Sequence, residues 1–460
     1  MPATPSRKIA YQILLRMESG VGFAVDLLQA PEVSALKEPD RRLATEIVMG
    51  VLRWRGELDF QVERLSGRKA IGLDPEVLTV LRIGAYQIRF LERVPKRAAV
   101  DDAVELTKAV GKRSASGLVN AVLRKCDPPR DSLHRQSFEG LSAENRESVR
   151  RAFPEWMLKR WECAEESTGE PGDVAASQLA FASLATPRTT LRVVDASAKV
   201  SDIQQELEVQ GVVTSHCEYA EAYGLKVESG QVQNSRAYRE GRVVIQDEAS
   251  QLVAALVSPE PGQRVLDLCA APGMKAGQLA HALGDGVLIA CDRSGPRLRT
   301  LSKLLPKWVP ANVRLSVVRV DAAQPLPFGE KFDRVLLDAP CTGTGTLARN
   351  PEIKWRLRPN DITRLAKIQF NMLRSALPSL VKGGRLVYST CSLEPEENEE
   401  VVARVLSESP EFRVLSSQEL ASSHPRLTHL FNSSGQFSTR PDRHSMDGFR
   451  AAVMVRKDNE

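Results

Sequence analysis

Paired cysteine is the first thing this 460-residue sequence lacks. Its seven cysteines, at positions 126, 163, 217, 269, 291, 341 and 391, form no Cys-x-x-Cys pair and no cluster with the six histidines. A disulfide framework and a zinc site are therefore not expected, and a reducing cytosol fits better. No apolar run approaches the ~18 residues that argue a membrane span. The first residues, MPATPSRKIAYQILLRM, carry scattered charge and no continuous apolar segment, so they do not read as a signal peptide. Two phosphate-binding signatures are also missing. There is no Gly-x-x-x-x-Gly-Lys-Ser/Thr loop for a nucleoside triphosphate and no Gly-x-Gly-x-x-Gly turn for a dinucleotide. Internal repeats and low-complexity tracts are absent.

What remains is an ordinary composition, 42% apolar and 26% charged, in a chain long enough for two or three domains. Charge is uneven: residues 1–130 hold 22 Lys/Arg against 16 Asp/Glu, while the whole chain nets only +5. A basic excess confined to one end suggests a polyanionic partner there. That end reads as helices throughout. RKIAYQILLRM sets Ile9, Ile13 and Leu14 at helical spacing, and four longer periodic stretches follow to residue 126. Pro39, Pro75 and Pro95 fall at their starts or breaks. Residues 1–135 are thus expected to form an all-α domain, closed by the Pro128-Pro129 break. Residues 136–240 mix helical and strand patterns and suggest a small α+β module. From 241 to 460, apolar strands alternate with helices: RVLDLC, GVLIACD, VRLSVVRVD, FDRVLLDAP and GRLVYSTC. That rhythm predicts a doubly wound, Rossmann-like α/β domain with a parallel sheet.

Ligands of such sheets bind at the C-terminal ends of the strands, and the residues there are distinctive. VLDLC opens into the loop Cys269-Ala270-Ala271-Pro272-Gly273-Met274-Lys275. Its small residues and Pro-Gly turn would let backbone approach a ligand closely. Asp292 ends the next strand, at the distance along the chain where an acid holds ribose hydroxyls, and Asp321 ends the one after, within reach of an adenine edge. With no dinucleotide turn, S-adenosylmethionine is the expected cofactor. Pro340-Cys341 and Thr390-Cys391 end the last two strands, and two thiols there suggest covalent chemistry beside it.

The segments CAAPGMK, LLDAPCTGTGTLARNPEIKWR and STCSLEPEENEEVV resemble the RNA cytosine-5 methyltransferases of the RsmB/Nop/Sun class, as do VIQDEASQL and the terminal MDGFRAAVMVRK. The first 130 residues resemble the NusB-like RNA-binding domain. The family's loop usually reads CAAPGGKT; Met274 and Ala276 stand at two of its positions here. The resemblance implies transfer of a methyl group from S-adenosylmethionine to C5 of a cytosine, with 16S ribosomal RNA as substrate. Rivals are a tRNA substrate and an inactive RNA-binding assembly factor. DNA and membrane partners are not expected; a cytoplasmic monomer is.

C5 of cytosine is a poor nucleophile, and thiolate addition at C6 makes it enamine-like. The resemblance assigns that attack to Cys391 and product release to Cys341. Asp338, three residues before Cys341, is the candidate for stabilising the ring at N3, close to the cofactor. Lys354 is a candidate to hold a phosphate or orient Asp338, and Lys275 to shape the electrostatics. Trp156 and Trp161, five apart, are expected in a core rather than stacked on bases.

Overall fold

A computed structural model describes residues 3–128, 138–166, 171–194 and 199–457. Their contacts divide the chain into two compact units, Met1–Thr186 with Leu347–Arg356, and Pro187–Thr346 with Leu357–Glu460.

The first unit is helical, as its periodicity predicts. The helix Glu38–Ser66 takes Pro39 in its first turn and stops at Gly67, which is left-handed at φ 68°. One face buries Ile47, Val48, Val51, Leu58 and Val62. The helix Pro75–Phe90 begins on Asp74, whose side chain accepts the Glu76 amide, and is buried along nearly its whole length. It is the centre of the bundle. The two helices touch closely because Gly50 has no side chain: a Cβ there would lie 1.9 Å from the Tyr86 ring.

Sequence patterns divide the following residues differently from the observed contacts. The expected α+β module over 136–240 is split. Its helices Ala143–Arg151, Glu155–Glu166 and Gly172–Leu184 join the helical unit, and its strands join the other. One tie is Glu57, which is fully buried and pairs with Arg89 at 3.2 Å and with Arg151 at 2.7 Å. A buried carboxylate with two guanidinium partners ties the later helix to the bundle, since breaking such a pair strands a charge. Trp161 packs on Phe153 in this core, as expected. Pro129 and the boundary at 135/136 lie outside the described residues.

The second unit holds two sheets. Strands β1 (Thr190–Val193), β2 (Val213–His216), β3 (Gly224–Ser229) and β4 (Val243–Ile245) form an antiparallel sheet in the order β2-β3-β1-β4. Eight more strands form the large sheet: β5 (Arg264–Asp267), β6 (Gly286–Asp292), β7 (Val313–Arg319), β8 (Phe332–Asp338), β9 (Leu380–Thr390), β10 (Phe412–Val414), β11 (Phe437–Ser438) and β12 (Arg450–Arg456). Its order is β10-β12-β9-β8-β5-β6-β7, with β11 beside β12. β5 to β9 run parallel, and β12 closes the sheet antiparallel to β9. Strand order reverses between β5 and β8. Such a reversal opens a crevice at the strands' C-terminal ends.

Candidate active site at the strand ends

Every strand from β5 to β9 delivers a candidate residue to that crevice. Asp267 ends β5, Asp292 ends β6, Asp321 follows β7, Asp338 ends β8 and Cys391 follows β9. Parallel pairing in register makes this convergence inevitable. Asp338 lies opposite Ser389, one residue from the end of β9.

Two sulfurs meet. Cys341 Sγ and Cys391 Sγ are 3.4 Å apart, both half-buried. The loop after Cys341 is laid over Cys391: the Gly345 amide donates to the Cys391 carbonyl at 2.9 Å, and the Gly448 amide to the Gly345 carbonyl at 2.8 Å. A Cβ on Gly345 would lie 2.1 Å from that second glycine's carbonyl oxygen, so only glycine allows the crossing. The hydrogen bond to Cys391, followed by burial, raises the Cys341 thiol well above its ordinary value.

Asp338 is fastened at both oxygens. Lys275 Nζ donates to Oδ2 at 2.7 Å and Ser389 Oγ to Oδ1 at 2.8 Å. Burial works against the Lys275 ammonium, but the charge and hydrogen bond of Asp338 outweigh it and raise its pKa above the ordinary value. The same ammonium lies 5.0 Å over the Phe449 ring, a cation–π contact. Lys275 therefore orients Asp338.

Lys354 does not. Its segment, Leu347–Arg356, belongs to the helical unit. There Nζ donates to the Arg53 carbonyl at 2.7 Å and sits 3.9 Å from the Phe153 ring centre. Burial, then the Arg53 charge, pushes this lysine well below its ordinary value. The residue nearest in sequence to the cysteine loop is thus a packing lysine, and the expected partnership with Asp338 is made by Lys275 instead.

The loop 269–275 connects β5 to the helix Met274–Leu283. Gly273 turns the chain at φ 116°, where a side chain would press on Leu301 at 3.1 Å. Met274 packs against Trp308, Val194 and Val244, and Ala276 is fully buried in the core. Both departures from the common loop are therefore packing residues. Cys269 is raised well above the usual thiol range by burial and the acids around it. Buried Asp267 is pushed up to about 7 by burial and by Asp338.

Those acids provide a test of fit for a polar nucleoside ligand. Asp267 Oδ2 and Asp292 Oδ2 are buried with no hydrogen-bond partner among the described residues. Arg297 Nη1 lies 3.5 Å from the latter. Asp321 spends one oxygen on the Ala323 amide at 3.1 Å. Acceptors left open on successive strand ends match a ligand bearing hydroxyls and amino groups. No group of acidic, histidine and cysteine side chains suited to a metal occurs among the described residues. No described helix is long and apolar enough to cross a membrane.

Sequence reasoning missed Ser389 and, more consequentially, Glu397. The latter sits in the acidic run PEENEE, which reads as a solvated helix start, yet it is fully buried. The one available signal was Ser392, a polar residue directly after the cysteine that needs a buried partner.

Residues 254–455 match the family model described as 16S rRNA methyltransferase RsmB/F, and residues 4–128 match the NusB family. A Bacillus subtilis protein described as a probable ribosomal RNA small subunit methyltransferase B is 31% identical over 464 residues, covering 99% of this chain and 100% of that one. A Synechocystis protein with the same description is 32% identical over 455 residues, covering 96% and 98%. The crystal structure of PH0851 superposes with a TM-score of 0.75 over 99% of this chain and 100% of that one, at 24% identity. This last likeness concerns the fold.

Proposed function

The chain belongs to the RsmB/F family of 16S rRNA methyltransferases, and from that premise we propose that it methylates C5 of a cytosine in 16S rRNA through a covalent adduct at C6. The observation that carries this reading is the pair of sulfurs 3.4 Å apart beside an anchored carboxylate. S-adenosylmethionine, when bound, supplies an electrophilic methyl group. The loop 269–275 would hold it, with Asp292 on ribose hydroxyls and Asp321 on the adenine edge, leaving Asp338 between cofactor and base.

The chain's own groups do the rest. Cys391 attacks as the thiolate: its sulfur bonds to C6, and the C5=C6 electron pair becomes available at C5. Cys341, whose thiol is raised well above its ordinary value by its hydrogen bond to Cys391 and then by burial, takes the release role that the resemblance implies. The proton that Cys391 gives up is passed through Asp338 to N3, neutralising the negative charge that develops on the ring, and Lys275 and Ser389 fix the direction of that carboxyl. A fixed dipole or charge costs no reorganisation when the ring changes. After transfer a base takes the C5 proton, the pair of that bond re-forms C5=C6, the C6–sulfur bond breaks with its pair returning to Cys391, N3 gives its proton back to Asp338, and Cys341 assists that release.

The base must leave any stack to expose C6, so the substrate is single-stranded or flipped RNA. The basic helical unit would hold flanking RNA through phosphates. Cys391→Ala should abolish methyl transfer, whereas Cys341→Ala should accumulate an RNA adduct that survives a denaturing gel. Turnover by Cys391→Ala near the normal rate would end the assignment.

A further inference from the structure

Glu397 is a fully buried carboxylate that touches both cysteine loops. Its Oε2 accepts the Thr342 hydroxyl and, at 2.5 Å, the Ser392 hydroxyl. Its Oε1 accepts the Thr342 amide at 3.0 Å and Gln369 Nε2 at 2.8 Å. Thr342 directly follows Cys341, and Ser392 directly follows Cys391. The two hydroxyl oxygens are themselves 3.0 Å apart. Gln369 also donates to the Pro340 carbonyl at 2.9 Å, and Tyr388 to the Glu397 carbonyl at 2.5 Å. The residues after both cysteines are therefore referred to one side chain, and Pro340, before Cys341, is tied to it through Gln369.

We propose that Glu397 is a positioning residue that sets the separation of the Cys341 and Cys391 sulfurs by holding Thr342 and Ser392 on a single carboxylate. The inference rests on the two-cysteine reading but reaches beyond it, to the part that makes the two thiols act as a pair. A carboxylate is suited to this because it accepts only: four donors can converge on its two oxygens, and hydrogen bonds to a charged acceptor are the strong ones. No cation faces it among its hydrogen-bond partners, so its grip depends on reach and on those neutral donors.

Glu397→Asp keeps the charge and shortens the reach by one methylene, so it isolates geometry. The first readout is independent of methyl transfer. The full-length protein is equilibrated with reduced and oxidised glutathione, and the fraction with a Cys341–Cys391 disulfide is measured. In that exchange the two protein thiols lose two electrons and two protons, and oxidised glutathione is reduced to two thiols. The effective concentration of one thiol toward the other should fall at least ~10-fold in Glu397→Asp, because proximity is what exchange equilibria report. The second readout is kinetic: kcat should fall ~10-fold or more with KM for RNA and cofactor within about twofold, since only the reacting geometry is disturbed. The double variant Thr342→Val with Ser392→Ala, which leaves the carboxylate intact, should reproduce both effects if the aspartate variant does not fold. Wild-type effective concentration in these variants overturns the positioning role. Reduced effective concentration together with normal methyl transfer by Cys391→Ala would keep the positioning role and remove the catalytic reading beneath it.

Discussion

Lys275, half-buried, and Lys354, fully buried, both lie in motif segments, and they have opposite fates. Lys275, at the strand ends, is kept charged by Asp338, 2.7 Å away. Lys354, in the helical unit, meets a backbone carbonyl and an aromatic ring, and burial drives it towards the neutral form. The difference teaches that burial of an ionisable group does not mark function. Function is marked by a counter-charge that is itself turned towards open acceptors and nucleophiles. Two of the buried glutamates divide similarly: Glu57 is matched by two arginines and ties helices together, whereas Glu397 is held by neutral donors from the two cysteine loops.

The comparison breaks most directly if the lysines are exchanged in effect. We expect Lys275→Met to lower kcat by ~10²-fold, the order of cost when a group at the reacting centre is misplaced by about 1 Å, because Asp338 loses the donor that fixes one of its oxygens. Lys354→Met should leave kcat within about twofold. Equal losses, measured as single-turnover rates on the same RNA, would dissolve the contrast.

Asp267 sharpens the picture on the same side. Its carboxyl, ordinarily near 3.8, sits at about 7 in the fold. The folded state therefore holds a proton that the unfolded chain releases first, so stability falls as pH rises through that window and levels off above it. The contribution is on the order of 1–3 kcal/mol after allowance for relaxation. Asp267→Asn should lack this slope in denaturant melts taken from acid to neutral pH. Parallel curves for the two proteins would mean that the acid is not neutral in the fold.

Lys354 should show the opposite sign. Its folded pKa lies below the unfolded 10.5, so the unfolded chain binds more protons between those values. Wild-type stability should gain on Lys354→Met as pH rises towards the ordinary lysine value. A thermal-melt difference that is flat with pH would contradict this.

How much of this was legible beforehand depended on locality. The parallel strands were readable because each is an apolar run ending in an acid or a cysteine, and the helices up to residue 126 because their apolar periods are regular. The helix Gly172–Leu184 was not, since its small apolar residues surround it and show no face. Strand β2 was missed because it is a short edge strand with mostly exposed residues. Loop 269–275, Asp292, Asp321, Asp338 and the two cysteines converge because register carries strand ends to one edge. Lys354 could not be located from its neighbours in sequence, because the ten residues after Thr346 pack on Arg53 and Leu52, some three hundred positions earlier. Glu397 was hidden for a related reason: whether a glutamate in an acidic run faces water or two serine-like hydroxyls is a tertiary matter.

The most direct test of the central claim is bisulfite mapping of 5-methylcytosine after incubating the purified protein with S-adenosylmethionine and either unmodified small-subunit rRNA or tRNA. The account predicts one new protected cytosine, in the rRNA and not in the tRNA. Bound rRNA with no protected cytosine would contradict it.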